Sequence, residues 1–325
     1  MKQGIIGLTA ALATAGALIA TGQAADSIKV AISHQTAWDT VFPQIGVRKG
    51  FFKEQNLEVT LINATGGSDT VQTLTTGSVQ FTTPTAVHAV ITAFAKGAPI
   101  RIVANQLTGA PDIYFYAKTD GPIKKWADLN GKKLAFSRPG SVTHMLIQNF
   151  MKEQNLKIDI ISGGGLPAVR TMLETGQVDA AWAGAPFALD GVRDGKYRVL
   201  FSGDDVAAAK TVVNRVTCTS ADILKNNPAL VRRFLAAYQK AVDYVYGPNM
   251  EEALKMYAEV NTMTLAEAKA ALKNFGDKKS HDLGALQRFD EAINQTVEFG
   301  LIKEKLTDAQ VKELLDLTHV AGTKS

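Results

Sequence analysis

Arg138, Pro139, Gly140 and Ser141, with Thr143 two residues on, form the segment of this 325-residue chain best suited to hold a ligand. A guanidinium matches the paired oxygens of a carboxylate or sulfonate. Gly and Ser ahead of a helix leave backbone N–H groups pointing outward, where they favour an anion. Gly66, Gly67 and Ser68 repeat the arrangement earlier in the chain. Ordinary helix capping accounts equally well for either loop alone. The pairing of the two loops is what suggests a ligand. His34 and Gln35 end an early apolar run, and Thr83 and Thr85 end another. Trp38, Trp182 and Phe187 supply rings that can stack on a ligand or pack in the core.

The residues for catalysis or metal binding are scarcer. There is no Gly-x-Ser-x-Gly elbow and no His-Glu-x-x-His. The five histidines (His34, His88, His144, His281 and His319) show no metal-ligand spacing. Cys218 is the single cysteine, so a disulfide within the chain, a cysteine zinc site and an iron–sulfur cluster are all excluded. The net charge of +4 is too small and too mixed to imply nucleic acid. No catalytic residue, cofactor or metal is therefore assigned, although a dispersed triad on a secreted hydrolase is an alternative of another class.

An internal repeat sets the elements that must position these residues. Residues 51–62 match 150–161 at seven of twelve positions, an offset of 99. The same offset aligns 74–79 with 173–178, and 29–33 resembles 133–137. Each copy reads as strand, helix, strand, helix, strand, which predicts an α/β sheet with parallel strands. Gly77 and Gly176 fall where a helix takes a left-handed cap. Extended segments at 112–118 and 211–219 predict a two-stranded hinge. Two lobes follow: 26–112 with 211–325, and an inserted 113–210. Asn227-Pro228 opens a long helix to about Tyr246, and Thr264 and Thr307 begin capping boxes. This helical tail should pack on the first lobe.

Residues 1–25 have a basic start, an apolar run and small residues, as a secretory leader does, with cleavage expected after Ala24 or Ala25. No cysteine stands there to carry a lipid. In open α/β sheets ligands bind beyond the carboxyl ends of the strands. One wall of a cleft is then 33–38, 65–69 and 82–85. The other is 137–143, 162–166, which contains Gly164, and 182–187.

These residues resemble the substrate-binding component of ABC importers, in the family that handles sulfonates, taurine, nitrate and thiamine precursors. The resemblance is carried by 50–59, Leu74 with Gly77, 127–135, Gly140-Ser141, 176–180 with Pro186, and 227–231. It implies a type II periplasmic binding fold, a soluble periplasmic monomer, a small organic anion with or without an aromatic part as ligand, and an ABC permease in the inner membrane as partner. By position, His34, Gln35, Trp38, Gly67, Ser68, Thr83, Thr85, Arg138, Ser141, Thr143, Gly164, Trp182 and Phe187 are candidate ligand contacts. Arg138→Ala is accordingly expected to weaken anion binding by about 1.5–3 kcal/mol. A pyrimidine thiamine precursor is the alternative ligand. One branch of the fold is a pyrimidine synthase that uses a cysteine-rich iron motif, for which Cys218 alone is insufficient.

Overall fold

The structure is a computed structural model that describes residues 24–322. Apart from its last two residues, the expected leader lies outside them. Among the described residues, ten strands form a five-stranded sheet and, in the second lobe, a three-stranded and a two-stranded ladder that together serve as a second sheet. The first has the order β2-β1-β3-β10-β4, built from Asp26–Ile32 (β1), Leu57–Asn63 (β2), Phe81–Ala86 (β3), Ile100–Thr108 (β4) and Val213–Ser220 (β10). The second contains Ile113–Lys118 (β5), Lys133–Phe136 (β6), Asp159–Ser162 (β7), Ala181–Gly184 (β8) and Tyr197–Ser202 (β9). There β8-β5-β9 and β6-β7 are separate ladders, linked where Leu134 bridges Ala180.

The repeat is visible in both sheets. β1 pairs in parallel with β2 and β3, and β6 pairs in parallel with β7. Helices Phe51–Glu54 and Val142–Gln154 end the same way, with Asn56 and Asn155 in the left-handed region at φ 55° and 52°. They differ at one aligned position. Gly50, at φ 77°, separates Phe51–Glu54 from the helix before it, whereas Asn149 continues the longer helix. Gly77 (φ 72°) and Gly176 (φ 74°) follow their helices as expected.

Neither sheet is wholly parallel. β10 runs antiparallel to both β3 and β4, and β5 runs antiparallel to β8 and β9. The extended segments read as connectors are therefore interior members of the sheets. The chain passes between the lobes through the short stretches 109–112 and 206–212. The β4–β10 ladder reaches Thr108 and Val213, and Gly109 N–H then donates to Val212 O at 3.0 Å. A paired, two-stranded hinge results.

The tail packs mainly on the first lobe. The long helix is Pro228–Val245, with Asn227 accepting from Leu230 N–H. It lays Phe234 on Phe81, with ring centroids 4.1 Å apart, and Phe52 lies beyond it at 5.4 Å. Phe289–Glu298 covers Val87–Ala95, and Asp308–Leu314 lies against β4. Both expected capping boxes are present, at Thr264 and Thr307. The tail also reaches the second lobe, where Tyr257 Oη donates to Ala185 O at 3.3 Å and Arg193 pairs with Glu267. Among the described residues no helix is long and apolar enough to cross a membrane.

Candidate ligand site between the lobes

The carboxyl ends of β1 and β6 and the loops beyond them face each other across a small cavity of about 40 Å³. That volume holds a water but not a typical ligand, which needs about 300 Å³ or more. Admitting a solute therefore requires the lobes to part.

On the second-lobe side, Ser141 caps helix Val142–Gln154, its Oγ accepting from His144 N–H at 3.2 Å. Thr143 Oγ1 lies 2.9 Å from Ser141 Oγ and 3.0 Å from Ser137 Oγ, and it accepts from Ser137 N–H at 3.0 Å. Three hydroxyls and a 13-residue helix N-terminus thus line one wall. This wall favours electron-rich atoms. Trp182, on β8, closes it.

The first-lobe side has the opposite character. Arg215, in the middle of β10, binds Asp112 through both terminal nitrogens, at 3.0 Å each, and Asp39 through Nε at 2.9 Å. All three line the cavity, and their side chains are at most 6% exposed. Two carboxylates therefore overmatch one guanidinium. Burial pushes the Asp39 carboxyl up, against the pull of Arg215. His34 also lines the cavity, and burial lowers its pKa to about 4, so it is neutral at pH 7. Its ring lies 5.9 Å from that of Trp182, across the two lobes. His34 Nε2, Asp39 Oδ1 and Trp182 Nε1 are buried with no hydrogen-bond partner on another residue.

Of the sequence-selected residues, His34, Gly67, Ser141, Thr143 and Trp182 line this cavity, and the others do not. Trp38 stacks on Phe275 at 4.0 Å and donates to Tyr246 Oη, which fixes the tail to the first lobe. Thr83 is bonded to Tyr238 and Thr217, and Thr85 to Thr70 and Thr82, so their hydroxyls are used within the lobe. Gln35 is exposed and accepts from Asn63. Ser68 lines a separate surface crevice, and Gly164 shapes a turn at φ 77°. Phe187 faces a crevice on the other side of its loop, beneath the Arg170 guanidinium.

Arg138 stands at the rim, where its Nε pairs with Asp69 at 2.6 Å, and it is half exposed. It bridges the lobes and does not point into the cavity. Such a pair is worth about 0–1 kcal/mol. Arg138→Ala is therefore expected to lower ligand affinity by less than about 1 kcal/mol, through weaker closure. Calorimetric titration of the variant checks this, and a tenfold or larger loss returns Arg138 to the ligand.

Asp39, Asp112 and Arg215 were not selected from the sequence. A usable signal existed: Arg215 stands in a strand-like segment among Val213, Val216 and Cys218, and a charge buried there needs partners.

Residues 44–251 match the family model described as NMT1/THI5 like. The chain belongs to this family. A relative is the 4-amino-5-hydroxymethyl-2-methylpyrimidine phosphate synthase THI13 of Saccharomyces cerevisiae, 27% identical over 214 residues, 61% of this chain and 60% of that one. THI5 of the same yeast, described in the same words, matches to the same extent. The chain thus spans about 60% of the length of these curated relatives. Among solved structures, the alkanesulfonate-binding protein SsuA from Xanthomonas axonopodis pv. citri, bound to MOPS, superposes with a TM-score of 0.72 at 17% identity, covering 90% of this chain and 97% of that one. The periplasmic nitrate-binding protein NrtA from Synechocystis PCC 6803 gives 0.71 at 15%, covering 91% and 87%. The fold is that of the periplasmic binding proteins.

Proposed function

We propose that this protein is the solute-binding component of an ABC importer, a carrier and not an enzyme. It takes a small ligand between lobes 26–112 with 211–325 and 113–210, and it delivers the ligand to a membrane permease from the periplasm. The observation that carries this reading is the inter-lobe cavity, lined by His34, Asp39 and Trp182, each of which bears a buried polar atom with no partner on another residue. Satisfying such atoms favours the closed, liganded state, and differential affinity of that kind drives hinge closure.

For the ligand, the pyrimidine thiamine-precursor class is favoured over an organic anion. An anion needs an unmatched cation. The guanidinium in the cavity already faces two carboxylates, Arg138 is held by Asp69, and His34 is neutral. A flat aminated heterocycle presents N–H donors to Asp39 and ring acceptors to the hydroxyl wall, with its faces toward His34 and Trp182. The yeast relatives, whose names refer to such a pyrimidine, support the same class.

Thermal denaturation of the purified protein with aminopyrimidines, alkanesulfonates, taurine, aromatic carboxylates and nitrate tests the reading. Aminopyrimidines at about 100 times Kd should add about 2.7 kcal/mol, raising Tm by several degrees. A rise with sulfonates or carboxylates alone restores the anion, and turnover of any compound makes the protein an enzyme.

A further inference from the structure

The Asp39–Arg215–Asp112 cluster has a charge imbalance that the fold itself does not correct. Arg215 cannot give up its proton in a protein. With both carboxylates ionised, the cluster carries one net negative charge out of contact with water, and an uncompensated buried charge is costly. The geometry shows which atom bears it. Both oxygens of Asp112 are engaged by Arg215, and Asp39 Oδ2 receives Arg215 Nε. Asp39 Oδ1 alone has no partner on another residue, and Asp39 lines the cavity.

Among the described residues, no second cation acts on Asp39. The titratable groups near Asp39 are Arg215 on β10, Asp112 at the hinge and His34 after β1, with Tyr238, Tyr257 and His281 from the tail. His34 and His281 are both neutral at pH 7, each held down to about 4 by burial. The tyrosines are neutral too, their hydroxyls raised by burial. The missing positive charge is therefore either a proton on Asp39 or a group on the ligand.

We propose that Asp39 is the specificity-determining anchor for a protonated nitrogen base, whose N–H is donated to Oδ1. The balance is simple. A ligand already cationic in solution displaces the Asp39 proton, which leaves as H⁺. A ligand that arrives neutral takes that proton onto its ring or amidine nitrogen, and nothing is released. In both cases the bound pair holds one proton. A purely anionic solute brings no positive charge to the cluster and is held less tightly than the base. This inference rests on the solute-binding reading and extends it from a ligand class to the charge state selected.

Titration calorimetry tests it with two probes, benzamidinium chloride and 4-amino-5-hydroxymethyl-2-methylpyrimidine, on the full-length mature chain. At pH 6, in two buffers of different ionisation enthalpy, benzamidinium should release about one proton per site and the pyrimidine fewer. Asp39→Asn keeps the shape and removes the charge. It should weaken the base that binds more tightly by about 10- to 100-fold and abolish the proton release. The proton count on the unaltered protein does not depend on the variant folding. Binding of either base with no proton linkage, and with affinity in Asp39→Asn within threefold, overturns the Asp39 anchor and leaves solute binding intact. Binding of sulfonates or nitrate in place of the bases does the same. Failure of bases and anions alike overturns both.

Discussion

Replacing Arg215 by methionine should lower the unfolding free energy by about 3–5 kcal/mol, among the largest losses a single change can cause here. Methionine retains much of the volume, so the cost does not come from a cavity. It comes from the Asp112 carboxylate, left buried beside the Asp39 carboxyl without the guanidinium that neutralised it. The cluster also ties three parts of the chain together: the turn after β1, the hinge stretch before β5, and β10. Losing it should loosen the hinge as well as the first lobe. Urea denaturation at pH 7 measures the effect. Adding Asp112→Asn to Arg215→Met should recover part of the loss, because the stranded charge is then gone. A single-variant loss below about 1 kcal/mol would mean that the carboxylates find protons or water once the arginine is removed.

The legible part of the fold came from periodicity and repetition. The matched segments ending in Asn56 and Asn155 indicated two copies of one unit, and both residues take the same left-handed conformation. The glycines after each copy, and the caps at Asn227, Thr264 and Thr307, are local signals, and local hydrogen bonds satisfy them. Strand direction was less accessible. β5 is largely apolar and β10 mixes apolar with polar residues, and neither pattern distinguishes parallel from antiparallel neighbours.

The site was legible as loops but not as side-chain directions. Ser141 and Thr143 face the cavity because a helix start fixes where a cap points. Trp38 and Trp182 both stand near strand ends, yet only Trp182 lines the cavity. Trp38 turns toward Phe275, a partner more than 200 residues away that no local pattern reveals. Arg138 was the conspicuous arginine because it sits in a Gly-Ser loop. Arg215 was inconspicuous because its partners, Asp39 and Asp112, come from distant segments that only the folded sheets bring together.

Acid should destabilise the protein well before its surface carboxylates protonate. His34, His88 and His281 are each held by burial at a pKa of about 4, against 6.5 in the unfolded chain. Between those values the unfolded state binds more protons, so stability falls as the pH drops from 6.5 toward 4 and is fully present above 6.5. Each histidine contributes a slope of up to about 1.4 kcal/mol per pH unit in that window. Asp39 works the other way. Its folded-state pKa is raised above 3.8, so over the same acid range the native state holds a proton that the unfolded chain has released. That gain offsets roughly one histidine, and a net loss of several kcal/mol remains by pH 4.5. Urea midpoints at pH 7, 6 and 5 measure the slope. His88, whose ring bonds Gln295 at 3.3 Å, is the histidine to remove, because it lies outside the ligand cavity. His88→Gln should flatten the slope by up to about 1.4 kcal/mol per pH unit, whereas Asp39→Asn should steepen it by removing the opposing term. A slope unchanged in both variants would place the acid sensitivity elsewhere in the chain. Opposite changes would identify the buried histidines and the cavity carboxylate as its two sources.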